Sequence, residues 1–312
     1  MQTEAVWRAL PRKIREVLAE EGLRELQEIR LRSGQPLLLK KENQLFALGG
    51  DGALLPVADA RGIRISKEDL REAVSLLSGY SLYAFEEELR QGYLTVAGGH
   101  RVGFCGRVVL ENGEIRTLRQ INALNIRIAR ERRGWGERLL PFLTEKDTLL
   151  HTLIVSPPGC GKTTLLRDLI RCLSERGKNV GVVDERGELA PLREGVPQMD
   201  VGPCTDVLEG CPKAMGMMLL LRSMSPDIIA VDELGRREDI AAVEEVLRAG
   251  VTLIATAHGR DFADVKARPQ LCALVHKKIF ARYLFLSNRN GTGTIEEIRD
   301  REGRLLKGEG ME

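Results

Sequence analysis

One segment of the sequence has the residue types and spacing that hold a phosphate group. Residues 156–163 read Ser-Pro-Pro-Gly-Cys-Gly-Lys-Thr, which follows the phosphate-loop pattern except that serine replaces its first glycine. Glycines let several backbone N–H groups point at one phosphate, and the helix that follows aims its positive end at the same charge. A strand–turn–helix corner with a chance Gly-Lys-Thr is the alternative. We favour a site for ATP formed by Ser156, Pro157, Pro158, Gly159, Cys160, Gly161, Lys162, Thr163 and Thr164.

A second segment would supply the acidic groups that ATP hydrolysis needs. Residues 228–233 form an apolar run that ends in Asp232 and Glu233. In such sites the loop lysine, here Lys162, reaches the β- and γ-phosphates, while Thr163 and Asp232 would hold Mg²⁺. Glu233 would polarise the attacking water. Many strands end at acidic turns, but the two segments together predict Mg-ATP binding.

Three further groups of polar residues have less specific patterns. Residues 184–188 follow another predicted strand, and either Glu185 or Glu188 could orient water or metal, with a solvated turn as the alternative. His258 ends a predicted strand at the edge expected to face the nucleotide, where it could sense the γ-phosphate, although a lone histidine is more often structural. Residues 101–138 contain nine arginines and no lysine. These charges could all face solvent, or one of them could stabilise the transition state at a neighbouring subunit's ATP.

The predicted elements would bring the carboxyl ends of several strands to one edge of a sheet. Before residue 140, a helix at 11–21 is followed by strands and a further helix, which indicates a smaller α+β domain over residues 1–138. The rest alternates short apolar runs with helical patterns, which is typical of a mainly parallel sheet covered on both faces. Residues 139–312 are therefore predicted to form a P-loop ATPase domain that ends in a hairpin. Its candidate strands are 149–155, 180–183, 227–231, 251–256 and 279–286, and its candidate helices are 162–176, 212–224 and 238–249.

The composition argues against several other classes of protein. Charged residues are 29% and hydrophobic ones 43%, which is typical of a folded soluble chain rather than a disordered one. No apolar run approaches the ~18 residues of a membrane span, and the N-terminus has no apolar signal core, so we expect a cytosolic chain. The six cysteines are expected to be free thiols. The net charge of +2 and the 4% aromatic content argue against nucleic-acid binding.

These motifs resemble those of the secretion-type ATPases, the ring motors of type II and type IV secretion and pilus systems. The similar stretches are residues 221–233 and 236–239, the family's Thr-x-His box at 256–258 and its acidic box at 184–188. The resemblance covers about residues 145–290 and implies a RecA-like P-loop fold. The chain has Asp232 where many of these ATPases have glycine.

A sporulation branch of these ATPases resembles the chain over nearly its whole length. Residues 81–85, 98–103 and 125–130 are similar to the N-terminal domain of that branch, whose phosphate loop also begins Ser-Pro-Pro-Gly. The resemblance implies a homohexameric ring at the mother-cell face of the channel that joins mother cell and forespore. It also implies a cytoplasmic location, with peripheral attachment to membrane proteins of that complex.

The hypothesis that unites these observations is ATP hydrolysis at the subunit interfaces of a ring motor. Glu233 would activate water with help from Glu188 or Glu185, and His258 would report the γ-phosphate. An arginine of the N-terminal domain would complete the next subunit's site. The candidates for that role are Arg127, Arg130 and Arg119. Two alternatives remain: a nucleic-acid-associated ATPase, favoured by the arginine-rich stretch, and a scaffold whose bound ATP orders an interface without hydrolysis.

Overall fold

The chain divides into two compact units. The computed structural model describes residues 3–42, 44–59, 61–79, 89–90, 92–146 and 148–308, so residues 81–85 of the family resemblance lie outside the described ranges. Packing separates Met1–Arg130 from Glu131–Glu312. The division predicted from sequence, at residues 138/139, lies within the helix Trp135–Leu143. That helix packs inside the second unit, where Gly136 N–H donates a buried hydrogen bond of 2.7 Å to Asp168 Oδ2.

An antiparallel sheet organises the first unit. Its strands are β1 Glu28–Arg32, β2 Leu38–Lys41, β3 Gln44–Leu48, β4 Leu54–Leu55, β5 Tyr93–Val96, β6 His100–Glu111 and β7 Glu114–Arg127, and its described helices are α1 Glu4–Ala9, α2 Arg12–Arg15, α3 Glu20–Leu23 and α4 Lys67–Leu77. The strand order is β4–β3–β2–β1–β7–β6–β5. In β1, Ile29 and Leu31 point into the core and their neighbours are half-buried, which is the alternation expected of a strand with one packed face.

Helix α4 begins at a capping box that can be recognised in the sequence. The Ser66 hydroxyl accepts a hydrogen bond of 3.1 Å from Asp69 N–H, and Asp69 Oδ2 accepts one of 2.6 Å from Ser66 N–H. These two bonds satisfy backbone donors that the helix leaves open. The apolar face of α4, formed by Leu70, Ala73, Val74 and Leu77, then packs into the same core as β1.

The second unit is built on a larger, mainly parallel sheet. Its strands are β10 Thr152–Ser156, β11 Val180–Asp184, β14 Thr205–Glu209, β15 Ile228–Val231, β16 Thr252–His258, β17 Arg282–Ser287, β18 Thr294–Asp300 and β19 Leu305–Lys307. The order is β14–β11–β15–β16–β10–β17–β18–β19, and the strands from β14 to β17 run parallel. Strands β18 and β19 add an antiparallel hairpin at one edge.

Helices cover both faces of this sheet. They are α5 Trp135–Leu143, α6 Lys162–Glu175, α7 Lys213–Ser223, α8 Arg237–Arg248, α9 Phe262–Ala267 and α10 Pro269–His276. Two short strand pairs lie outside the sheet: β8 Thr144–Glu145 with β9 Thr148–Leu149, and β12 Leu192–Arg193 with β13 Val196–Pro197. In β10, Leu153 and Val155 pack on the side of α7 and α8, whereas Ile154 packs on the side of α5 and α6. The predicted α/β fold, with its mainly parallel sheet buried on both faces, is confirmed.

The described part of the chain contains no helix that is both long and apolar enough to cross a membrane. All six cysteines are free thiols, of which Cys160 and Cys172 are buried. Burial raises the pKa of Cys172 to about 11, so this thiol is protonated at neutral pH.

The turn that connects β17 to β18 offers a direct test of packing in the second unit. A Cβ atom on Gly293 would lie 1.8 Å from Trp135 Cη2, whereas one on Gly291 would meet open space, and both glycines have positive φ angles of 87° and 104°. Alanine strains the backbone at both positions, but only at Gly293 does it also collide with a ring. We expect Gly293→Ala to lower the free energy of unfolding by about 1–3 kcal/mol more than Gly291→Ala. Urea denaturation measures the difference, and equal losses would contradict this packing.

Candidate functional site

The phosphate-loop segment connects a buried strand to a helix. Strand β10 is buried throughout, and α6 begins at Lys162. Gly161, the residue before that helix, has a φ of 91°, a conformation that side chains disfavour. A Cβ atom there would also lie 3.2 Å from Thr292 Cγ2 and 3.4 Å from Trp135 Cζ3. Glycine is therefore required at this corner by both the backbone angle and the close approach of neighbouring side chains.

Lys162 folds back over its own loop. Its side-chain nitrogen Nζ donates hydrogen bonds to the carbonyl oxygens of Ser156, at 3.2 Å, and Pro157, at 3.3 Å. Only 5% of Lys162 is exposed. Burial lowers the pKa of Lys162, and the negative charges of Asp232 and Glu233 oppose this effect. A bound phosphate group would give this ammonium group a stronger partner than two neutral carbonyls.

The second acidic segment lies beside the loop because of the strand order. Val231 at the end of β15 pairs with Ala255 of β16, so Asp232 follows next to Thr256. Thr163 Oγ1, on the other side, donates a hydrogen bond of 2.7 Å to Asp232 Oδ2, and the Thr256 hydroxyl donates to Asp232 Oδ1. Thr163 and Asp232, far apart in sequence, are thus in direct contact.

The donor set at Thr163 and Asp232 fits Mg²⁺. Within the described ranges, no group of three or more histidine, cysteine or acidic side chains could hold a metal ion. Mg²⁺ does not need such a cage, because it keeps several waters and is bound through one or two protein oxygens together with phosphate oxygens. A hydroxyl oxygen and a carboxylate next to a phosphate loop meet this requirement.

Glu233 is held by backbone and side-chain contacts. Its φ of 53° is unusual for a residue other than glycine, and its N–H donates a hydrogen bond of 2.9 Å to Thr256 Oγ1. His258 Nε2 lies 2.7 Å from Glu233 Oε1, and Lys162 Nζ lies 3.3 Å from His258 Nδ1. The neutral histidine tautomer with its proton on Nε2 satisfies both contacts, since it accepts from Lys162 and donates to Glu233. A continuous chain of contacts therefore runs from the phosphate loop to Glu233.

The acidic loop after β11 is shaped by Asp184. This carboxylate is 2% exposed and accepts hydrogen bonds from the N–H groups of Glu188, Leu189 and Ala190 at 3.0, 2.9 and 2.7 Å. Burial raises the pKa of Asp184, although these hydrogen bonds oppose the rise. Asp184 therefore fixes the shape of the loop, and the exposed Glu188 side chain belongs to its outer surface.

Glu185 is engaged by two basic side chains. Its Oε1 lies 3.1 Å from Arg236 Nη1, and its Oε2 accepts a hydrogen bond from Lys213. Burial alone would raise the pKa of Glu185, but the Lys213 hydrogen bond and the Arg236 charge outweigh it, so the pKa is lowered. Arg186, from the same loop, contacts Glu233, with Nη1 3.3 Å from Glu233 Oε2.

The structure brings most of the predicted site residues to the carboxyl edge of the large sheet. Ser156 is paired with His258 in neighbouring strands, and residues 157–164 of the loop follow directly. The three arginines proposed to act on a neighbouring subunit belong to the first unit and are exposed. Arg119 and Arg127 lie on β7, and Arg130 Nη2 donates a hydrogen bond of 2.6 Å to the Glu25 carbonyl. Their role in a neighbouring subunit stays a prediction.

Two residues that contact the acidic pair were not among the predicted site residues. Thr256 is fully buried and bonds to Asp232 and to the Glu233 backbone. Its signal in the sequence is its place as the first residue of the Thr-x-His box. Arg186 stands among the acidic residues of 184–188, where the sequence pattern predicts that a carboxylate acts.

Relatives of the chain are found among sporulation proteins. The family described as "Sporulation stage III, protein AA" matches residues 1–306. The stage III sporulation protein AA of Bacillus subtilis (strain 168) is 44% identical over 305 residues, which cover 95% of this chain and 95% of that protein. The match extends through both units of the fold.

Solved structures with a similar fold include secretion and pilus ATPases. The ATPase DotB of Legionella pneumophila matches with a TM-score of 0.57 at 16% identity, over 88% of this chain and 76% of that one. The pilus retraction motor PilT, solved with bound ADP, matches with a TM-score of 0.55 at 14% identity, over 87% and 76%. The predicted resemblance to RecA-like secretion ATPases is thus confirmed at the level of the fold. By its sequence, the chain belongs to the family of sporulation stage III, protein AA.

Proposed function

We propose that this chain is a Mg²⁺-dependent ATPase that powers assembly or transport in a sporulation complex. The observation that carries the proposal is the cluster at one sheet edge, where a phosphate-loop lysine, a Thr163–Asp232 contact and Glu233 come together. Each of these groups has a task in ATP hydrolysis. The fold shared with DotB and PilT supports the same reading.

Each side chain would perform one step of the reaction. Lys162 and the backbone N–H groups of the loop would hold the phosphates, and Thr163 with Asp232 would hold Mg²⁺, which neutralises the phosphate oxygens when bound. Glu233 would take a proton from the attacking water. His258 contacts both Lys162 and Glu233, so it could transmit the arrival of the γ-phosphate to the base. We propose these roles for the residues in contact, with Glu188 or Glu185 assisting Glu233 from the acidic loop.

We further propose that the working form is a homohexameric ring attached to membrane proteins of the complex. The proposal places the chain in the cytoplasm, on the mother-cell side, with a first-unit arginine such as Arg127, Arg130 or Arg119 completing a neighbouring subunit's site. Its support is the family match together with the fold of secretion ATPases. Size measurement of the purified chain, with and without a slowly hydrolysed ATP analogue, tests ring formation.

Release of inorganic phosphate from ATP tests the proposed activity. We expect steady release with Mg²⁺ and none with EDTA. Thr163 and Asp232 supply only oxygen ligands, so without the ion they bring no positive charge to neutralise the phosphate oxygens. ATP binding without any turnover would instead support an ATP-ordered scaffold. Stimulation by single-stranded DNA or RNA, with a strong dependence on salt, would favour the nucleic-acid alternative.

Thr256 provides a test of how the acidic pair is positioned. Valine has nearly the same shape but cannot bond to Asp232 or to the Glu233 N–H, whereas serine keeps the hydroxyl. We expect Thr256→Val to reduce kcat about tenfold to a hundredfold and to raise the Mg²⁺ concentration needed for half-maximal rate, while Thr256→Ser stays close to wild type. Phosphate release over a Mg²⁺ titration measures both. A Thr256→Val protein with wild-type kcat and Mg²⁺ dependence would show that the two contacts do not matter.

A further inference from the structure

An arginine of the acidic loop contacts the proposed base. Arg186 Nη1 lies 3.3 Å from Glu233 Oε2, and the Arg186 side chain is 60% exposed. The other carboxylate oxygen, Oε1, contacts His258, which is joined to Lys162. The cationic groups of Lys162 and Arg186 therefore stand at the two ends of the His258–Glu233 pair.

The backbone beneath Arg186 is anchored to the helix of the phosphate loop. Arg167, on α6, donates hydrogen bonds of 2.6 Å to the Leu189 carbonyl and 2.7 Å to the Glu188 carbonyl. Arg167 is only 7% exposed, so these bonds are protected from solvent. The loop that carries Arg186 is thus supported by the same helix that begins at Lys162. This support gives the Arg186 backbone a defined position relative to the phosphate loop.

Other basic residues near the site are committed to different partners. Lys213 and Arg236 both contact Glu185, and Arg167 donates hydrogen bonds to backbone carbonyls. Arg186 contacts Glu233 directly, and Lys162 contacts it through His258. Lys162 belongs to the phosphate loop itself. Arg186 is therefore a second positive charge beside Glu233, supplied from outside that loop.

We propose that Arg186 is a catalytic residue: when ATP binds, its guanidinium leaves Glu233 and binds the γ-phosphate oxygens within the same chain. The inference rests on the proposed ATPase function and adds to it an arginine supplied by the second unit itself. A planar guanidinium suits this task because it can pair two phosphate oxygens at once and stays protonated throughout. Its departure would also free Glu233 Oε2 to accept a proton.

The reaction explains why a charge at this place would accelerate turnover. The water oxygen forms a bond to the γ-phosphorus, the bond from that phosphorus to the β–γ bridging oxygen breaks, and one water proton passes to Glu233. ADP and inorganic phosphate are the products. Negative charge is spread over the γ-phosphate oxygens in the transition state, where an arginine stabilises it. Arg186 neither gives nor takes a proton in this step.

Two substitutions of Arg186, with a matched control, test the proposal in the full-length chain. Arg186→Ala removes the charge, and Arg186→Lys keeps a point charge without the planar pair of donors. Arg193→Ala is the control, because Arg193 is an exposed arginine of the same connection between β11 and β14. The measurements are kcat and KM for ATP, and the affinities for ADP alone and for ADP with aluminium fluoride, which imitates the transferring phosphoryl group.

We expect Arg186→Ala to lower kcat about a thousandfold, the scale typical of an arginine that stabilises this transition state. Binding of ADP with aluminium fluoride should weaken at least tenfold, while ADP alone binds as in wild type. Arg186→Lys should recover only part of both losses, and Arg193→Ala should match wild type.

Three results would overturn the inference. Wild-type or faster turnover by Arg186→Ala would mean that Arg186 only restrains Glu233 at rest. An equal loss of affinity for ADP and for ADP with aluminium fluoride would mean that the residue supports the site in general. If the wild-type chain releases no phosphate with Mg²⁺, the proposed function itself fails, and this inference fails with it. The first two results leave the proposed function intact.

Discussion

Lys162→Ala is expected to reduce Mg²⁺-dependent phosphate release about a hundredfold to a thousandfold, the effect of removing one group that stabilises transition-state charge. Lys162 is the buried ammonium group that contacts the Ser156 and Pro157 carbonyls and His258 Nδ1. The substitution removes the positive charge and its bonds to these two carbonyls. It removes no backbone hydrogen bond of β10 or α6, so we expect both elements to stay in place. ATP affinity should fall together with kcat.

An exposed lysine provides the control for this substitution. Lys178 follows helix α6 and is exposed, so Lys178→Ala should match wild type in both phosphate release and ATP affinity. Circular dichroism of the two variants should be the same, since neither lysine belongs to the hydrophobic cores of the second unit. A Lys162→Ala protein that hydrolyses ATP at the wild-type rate would show that the phosphate loop has been assigned to the wrong residues.

Glu233→Gln should separate binding from turnover. The amide keeps the size of the side chain and can still accept a hydrogen bond from His258 through its oxygen, but it cannot take a proton from water. We therefore expect kcat to fall about a hundredfold to ten-thousandfold, the range for loss of a general base, with little change in ATP affinity. Phosphate release and equilibrium binding of ATP measure the two quantities independently.

Glu238 is the matched control for the acidic substitution. It is an exposed glutamate in the first turn of α8, a few residues beyond Glu233. Glu238→Gln should retain wild-type kcat and affinity. If Glu233→Gln loses ATP binding instead of turnover, Glu233 organises the empty site rather than activating water, and the proposed mechanism would need a different base.

The fold class could be predicted because its signals are local in the sequence. Strands β10 and β15 are short apolar runs, and helices such as α6 follow them with apolar residues at helical spacing. The strand β14, Thr205–Glu209, gave no such signal because all its residues are half-buried at the edge of the sheet. The helix expected at 11–21 was wrong in extent, since α2 ends at Arg15 and α3 begins at Glu20. Ala19 between them has an extended backbone, which interrupts the helix.

The contacts within the site depend on a strand order that local patterns do not contain. Strand β16 lies in the sheet between β15, which precedes it in sequence, and β10, which is much earlier in the chain. This order places Thr256 against Asp232 and His258 beside Ser156. The phosphate loop and the acidic pair could be recognised from residue types, whereas the contact between Arg186 and Glu233 required the order of the strands and the path of a loop.

The tight fit between Trp135 and Gly161 gives the protein an optical reporter of its own. The chain has two tryptophans, and only Trp135 belongs to the second unit, where its ring touches the corner that would receive the phosphates. A Trp7→Phe chain would retain a single indole emitter at that corner. Its fluorescence would then change with nucleotide occupancy, so binding and release could be followed in real time without attaching a dye.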